Sequence, residues 1–283
     1  MLVPMHELLQ EAEKNNVAIP AFNFCNLETL YPILEAAKDL HAPVILQAAF
    51  SEVEYFGGHC VGEFVAKAVN SFRVQAALHL DHGKSLYEVI QCIRWGFTSV
   101  MFDGSNLSFE ENVSVTRKIV EIAHAAGISV EGELGKVGGV EEVCLGAEEE
   151  SLTDPRAAAR FVQDTGVDAL AIAIGNAHGF YKGEPRIDFE RLLKTRELIG
   201  RFPIVLHGGT GIPDDQIKRA ISLGIRKINF STIIRARFIQ AFRSYSSSNP
   251  GNFMLMEISR VAMDKVKEVV VNIFKLLGCV GLC

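Results

Sequence analysis

The chain has 283 residues, 48% of them hydrophobic, and a formal charge of −6. That length can bury a sizeable core, and the acid excess argues against a broad nucleic-acid or anionic-membrane surface while leaving room for a local anion pocket. Neither a signal peptide nor a membrane span is expected, because the start lacks a basic-then-apolar pattern and the apolar tail is broken by Lys267, Glu268 and Lys275.

Short β-branched or apolar runs alternate with longer stretches of helical periodicity along the whole chain. The first strand is expected over Val17–Phe24, with a helix over Leu27–Leu40. Pro43–Ala48 follows, with a helix over Gly62–Asn70; then Val74–Leu80 with Leu86–Trp95, and Ser99–Phe102 with an amphipathic helix over Phe109–Ala126 that Gly127 ends. Ile128–Glu133 is the fifth strand, and its helix, Pro155–Thr165, has Asp154 as cap. Ala169–Ile174 pairs with Phe189–Ile199, Pro203–Leu206 with Pro213–Leu223, and Ile225–Phe230 with Ile233–Phe242. Eight strand–helix units without a linker or composition shift predict one domain, residues 1–283: an α/β fold of the (β/α)8 TIM-barrel type. A doubly wound open sheet is the structural rival. Helices over Met5–Lys14 and Met254–Leu277 would be an N-terminal addition and a C-terminal helical extension. The loop Gly135–Ser151 is longer than usual for a strand–helix connection, as functional lids are. The six cysteines are scattered without a C-x-x-C pair and read as reduced thiols of a cytoplasmic protein.

In such a barrel chemistry gathers at the C-terminal ends of the strands, and polar residues recur there. Asn23 ends the first strand, Asp81 and His82 the third, Asp103 the fourth, Glu131 and Glu133 the fifth; Asn176 and His178 follow the sixth, His207 ends the seventh and Asn229 the eighth. A lone histidine at a strand end is ordinarily a hydrogen-bonded structural residue, but turn chemistry gives no reason for imidazole to recur at three exits. His82, His178 and His207 would face one basin and could hold a borderline metal such as Zn²⁺ with a position left for substrate. His79 shares the strand face of Asp81, opposite to His82, and reads as packing or support. His6, His41, His59 and His124 read as structural.

"HGGTG" (residues 207–211) lets backbone N–H groups approach an anion, and a helix near Pro213 adds its positive end. "NFST" (residues 229–232), at the adjacent strand exit, supplies two hydroxyls, so a phosphate site is expected around strands seven and eight. A metal beside a phosphate site implies a phosphorylated substrate whose carbonyl or hydroxyl reaches the metal.

With "LHLDHG", "VMFDGSNLSFEEN", "VEGELGKVGG", "GNAHGFYKGEP" and "LHGGTGIPDDQIKRAISLGIRKINFST" in this order, the chain resembles the class II, metal-dependent ketose-bisphosphate aldolases, from about Val3 to Phe242. The resemblance implies reversible cleavage of fructose or tagatose 1,6-bisphosphate to dihydroxyacetone phosphate and glyceraldehyde 3-phosphate, as part of carbohydrate metabolism. It places zinc on His82, His178 and His207, the catalytic acid on Asp81, and the mobile-loop acid on Glu141, with Glu142 adjacent. A second metal position would lie near Asp103 and Glu133. Substrate binding would fall to Asn23, Gly179, Gly208, Gly209, Thr210, Asn229, Phe230, Ser231 and Thr232, with a monovalent cation beside the phosphate in some members. A homodimer or homotetramer is implied, with no nucleic-acid or membrane partner. The chain departs from the family at Thr210, where Ser is usual, and at Ala49, where many members carry a phosphate-binding Ser. The segment before the last helix, "SSSNPGNFMLMEISR", lacks the family's "DPRK"-like pattern. Other readings remain at this point: an aldolase for another phosphorylated ketose or keto-sugar acid, a sugar-phosphate epimerase or isomerase, a non-catalytic sugar-phosphate sensor, and a Schiff-base aldolase using Lys227.

Overall fold

Strands that are buried on both faces carry apolar side chains on both, and the short runs of this sequence have that character. The computed structural model describes residues 1–137, 143–144, 152–181 and 183–283. Numbered in chain order, β1 (Ile19–Asn23), β2 (Val44–Ala49), β3 (Ala76–Gly83), β4 (Ser99–Phe102) and β5 (Ser129–Leu134) precede a two-residue strand, β6 (Val143–Cys144). β7 (Ala169–Ile172), β8 (Phe180–Tyr181), β9 (Ile204–Leu206) and β10 (Ile225–Phe230) complete the set. Eight of these close into a parallel barrel in the order β1-β10-β9-β7-β5-β4-β3-β2, while β6 and β8 pair outside it. The architecture is the expected (β/α)8 barrel.

The helices start where capping residues permit. Asn26 accepts from the Thr29 backbone N–H at the start of α2 (Leu27–Asp39), and Ser108 with Glu111 forms a capping box on α6 (Phe109–Ala125). Asp154 caps α7 (Pro155–Thr165), whose first position is proline.

The N-terminal mouth of the barrel is sealed by α1 (Met5–Asn15) and the residues before it. Val3 N–H donates to Ala76 O at the start of β3, and His6 N–H donates to Ser129 Oγ at the start of β5. Glu13 meets Arg226, near the start of β10, at 2.7 Å. Arg226 is buried, and its guanidinium also donates to the Ile221 and Ile225 carbonyls. The last helix, α11 (Leu255–Leu277), lays Ala262, Val266, Val270 and Phe274 against the barrel wall at a four-residue spacing. Phe274 reaches Phe22 of β1 with ring centroids 5.7 Å apart. The extension therefore covers the side of the barrel.

Three features differ from the sequence expectation. A one-turn helix, α3 (Phe50–Tyr55), follows β2; six residues are too few to show a period. β3 runs on to Gly83, three residues past the expected Leu80, because its polar end stays in the sheet. α10 (Thr232–Ser248) continues six residues beyond Phe242. Those residues are polar and carry no apolar stripe of their own.

Candidate active site

The C-terminal ends of the strands bring the histidines together. His82 lies at the end of β3, His178 in the loop after β7 and His207 directly after β9. One nitrogen from each ring lies within 4.8 Å of the others. Ring centroids are 5.0 Å apart for His82 and His178, and 4.7 Å for His82 and His207. A second cluster joins His82 to Asp103 and Glu133 within the same limit.

His82 reaches the basin through an irregularity. Strand alternation that faces Asp81 inward would face His82 outward. Instead the pairing of β3 with β4 shifts register between Leu80 and Gly83, and His82 adopts φ +49°. A bulge of this kind re-aims one side chain, so both residues serve one site.

Two of the rings, those of His82 and His207, are oriented by a partner on the far nitrogen. His82 Nδ1 lies 3.1 Å from Asp103 Oδ2, and His207 Nε2 lies 2.9 Å from Glu131 Oε1. The nitrogens left over, His82 Nε2 and His207 Nδ1, are buried with no hydrogen-bond partner, as is Glu133 Oε2. Buried polar atoms are normally satisfied. Unpaired lone pairs on two imidazoles and a carboxylate, held by carboxylates behind them, fit a divalent cation. Glu133 Oε2 lies 3.3 Å from His207 Nδ1, near enough to share such an ion.

Asp81 sits beside this cluster and is held from two sides. Asn23 Nδ2 donates to one carboxylate oxygen at 2.9 Å, and Asn229 Nδ2 approaches the other at 3.4 Å. Gln47 in turn donates to Asn23 Oδ1 at 2.7 Å. Burial alone would raise the Asp81 carboxyl, but His82, His207, Lys227 and the Asn23 hydrogen bond outweigh it and hold the group below its ordinary value. Burial would likewise lower His82, yet Asp81, Asp103 and Glu133 bring it up to about 10. Burial pushes Glu133 up to about 8, with His82 opposing and the neighbouring acids adding. His207 is driven well below its usual value, chiefly by burial.

The expected phosphate residues lie next to the histidines. His178, Gly179, Gly208, Thr210, Ser231 and Thr232 line one pocket, together with Asn23, Asp81, His82 and Asn229. Gly208 has φ +67°, and a Cβ there would stand 2.0 Å from Ala177 O, so only glycine fits. Tyr181 Oη accepts from Ala177 N–H and donates to Gly208 O, tying two loops together. Ser231, the N-cap of α10, makes no capping bond, and its buried Oγ has no partner. A hydroxyl left open at the positive end of a helix is suited to an anion. Gly209 and Phe230 adjoin this pocket without lining it: Gly209 N–H donates to Asn229 O at 2.9 Å, and Phe230 is buried in the core. A groove of about 650 Å³ leads outward from the same centre, past Ala49, Ser51, Lys84 and Lys136. Glu141 and Glu142 lie outside the described residues.

Three interior residues, Glu131, Lys227 and His79, lie behind the site; His79 is expected there as support, while Glu131 and Lys227 have no part in the expected metal or phosphate site. Glu131 and Glu133 share one strand face, as do Lys227 and Asn229. Lys227 Nζ lies 2.9 Å from Glu131 Oε2 and donates to Asn229 Oδ1 at 2.7 Å. His79 is buried, with Nδ1 2.7 Å from Ser99 Oγ and Nε2 3.5 Å from Glu131, a supporting place.

A closed parallel barrel with histidines and carboxylates converging at its C-terminal mouth defines the class: a barrel enzyme whose site is fitted to a metal. The family model described as "Fructose-bisphosphate aldolase class-II" matches residues 3–282. The YdjI aldolase from Escherichia coli K12 is 34% identical, with 99% of each chain covered and a TM-score of 0.86. A putative fructose-1,6-biphosphate aldolase from Coccidioides immitis is 27% identical over 97% of this chain and 96% of that one, with a TM-score of 0.87. Fructose-bisphosphate aldolase (Fba) from Campylobacter jejuni shares the fold, with a TM-score of 0.86 at 23% identity over 99% of this chain and 95% of that one. The chain belongs to the class II fructose-bisphosphate aldolase family and is a lyase, in a family that is generally metal-dependent.

Proposed function

We propose that this enzyme reversibly cleaves a ketose 1,6-bisphosphate, fructose or tagatose, to dihydroxyacetone phosphate and glyceraldehyde 3-phosphate. The observation that carries this reading is the meeting of His82, His178 and His207 within 4.8 Å beside a carboxylate fixed by two amides. In this reading the three rings hold Zn²⁺, and Asp103 and Glu133 provide a second position. When bound, the ion supplies Lewis acidity to the ketose oxygens and stabilises the charge left as the carbon–carbon bond breaks. Asp81 accepts the proton of the C4 hydroxyl in cleavage and returns it in condensation. Asn23 and Asn229 keep its oxygens turned toward that hydroxyl. Gly179, Gly208, Gly209, Thr210 and the residues from Asn229 to Thr232 bind the phosphate and fix the reacting carbons. A monovalent cation beside that phosphate belongs to the same proposal. Ala49 offers no hydroxyl, so the cradle is one contact poorer than that of many relatives. Glu141 is assigned the proton transfer at the dihydroxyacetone carbon.

Lys227 is engaged by Glu131 and Asn229 beneath the basin. This counts against a Schiff-base mechanism. Among the described residues no helix is long and apolar enough to cross a membrane; a cytoplasmic homodimer or homotetramer belongs to the same proposal. Metal analysis combined with cleavage assays on both bisphosphates tests the reading. Stoichiometric zinc and triose release that a chelator abolishes are expected. Turnover that persists without metal, or is trapped by borohydride, overturns it.

A further inference from the structure

Beneath the histidines lies a lysine that the proposed reaction leaves unused. Lys227 is fully buried, and its ammonium is enclosed by Glu131 Oε2 at 2.9 Å and Asn229 Oδ1 at 2.7 Å. Each partner touches a different half of the site. Glu131 Oε1 lies 2.9 Å from His207 Nε2, and Asn229 Nδ2 lies 3.4 Å from Asp81 Oδ1.

Donor and acceptor arithmetic gives this arrangement a consequence. An ammonium only donates, so Asn229 must present its oxygen to Lys227 and its NH₂ to Asp81. A carboxylate paired with an ammonium only accepts, so the proton of a neutral His207 sits on Nε2. The lone pair is then on Nδ1, the buried atom without a partner that faces Glu133. One buried cation thus selects an amide orientation and an imidazole tautomer together.

We propose that Lys227 is a positioning residue that acts through Glu131 on His207 and through Asn229 on Asp81. It sets the metal-ligand geometry and the direction of the catalytic acid as one unit. This inference rests on the metal-site reading above.

The test compares Lys227→Met, Glu131→Gln and the double variant with the intact enzyme. Apo-protein is titrated with Co²⁺, followed by its visible absorption, and Zn²⁺ affinity is measured by competition. Each single variant is expected to bind metal about 10–100-fold more weakly, the usual effect of losing a supporting partner, with an altered cobalt spectrum. The double variant should be no worse than the weaker single one, because the two residues act in series. At saturating metal, Glu131→Gln should regain turnover and Lys227→Met should not, since only Lys227 holds Asn229 against Asp81. Cobalt affinity within twofold of the intact enzyme in either folded variant overturns the proposal. So do additive losses in the double variant, or full turnover of metal-saturated Lys227→Met. If Lys227→Met does not fold, the affinity and spectrum of Glu131→Gln decide the question. An intact enzyme that binds no stoichiometric cobalt removes the metal centre itself, a separate and distinguishable failure.

Discussion

Asp81 shows how neighbours assign chemistry to a carboxylate. A buried acid left alone would be protonated and useless as a base. Here the imidazoles, Lys227 and the Asn23 amide reverse the effect of burial and keep it ionised. Its Oδ1 lies 3.9 Å from His82 Nε2, close enough to sense a metal site without belonging to the three-ring cluster. Asp81→Ala should therefore retain stoichiometric zinc while cleavage falls by ~10²–10⁴, the range that general acid–base catalysis supplies. Metal analysis and steady-state assay of the same preparation check this. Near-normal turnover would remove Asp81 from the mechanism.

At the scale of elements, the exit of β3 explains what the sequence revealed and what it concealed. The barrel was legible because eight apolar runs each precede a helical period, and the helix starts because Asn26, Ser108 and Asp154 are strong caps. Three recurring histidines marked the basin. Period-two alternation, however, set His82 and Asp81 on opposite faces of the strand, since a bulge adds a residue that no local pattern announces. The two-residue strands β6 and β8 were invisible for a related reason: they exist only through a distant pairing. The Lys227–Glu131 pair has the same character, for it joins strands nearly a hundred residues apart. Gly83 makes the β3 irregularity possible. A Cβ there would lie 2.7 Å from both the Met101 carbonyl oxygen and Leu80 Cδ2. Gly83→Ala should cost about 1–3 kcal/mol by overpacking and weaken zinc binding about tenfold or more by displacing His82. Gly183→Ala, whose added methyl meets nothing within 4 Å, is the control and should change neither. Chemical denaturation and zinc competition give the two readouts, and unaltered affinity in Gly83→Ala would separate the bulge from the metal site.

For the whole molecule, the two barrel mouths have opposite roles. The N-terminal mouth is closed by α1, with Glu13 paired to buried Arg226, and is built for stability. The C-terminal mouth gathers Asp81, Asp103, Glu131 and Glu133 around three imidazoles and one ammonium, and leaves His82 Nε2, His207 Nδ1 and Glu133 Oε2 buried without a hydrogen-bond partner. Burial pushes Glu133 up to about 8, and the neighbouring acids add to the effect of burial. A divalent ion bound by the proposed ligands would satisfy those unpartnered atoms and join the end of β3 and the residue after β9 with the loop after β7, segments that only the folded chain brings together. Metal should therefore stabilise the native state by mass action, by ~4 kcal/mol when free ion stands a thousandfold above its dissociation constant. At roughly 2–4 °C per kcal/mol for a chain somewhat smaller than this one, chelation should lower the melting temperature by about 10 °C. Restoring zinc should recover it. His207→Ala should melt at the same temperature with or without chelator, because the ion has lost one of its three rings. A melting temperature of the intact enzyme that ignores chelation would mean that the ion contributes nothing to the fold, and that the mouth tolerates its clustered acids by other means.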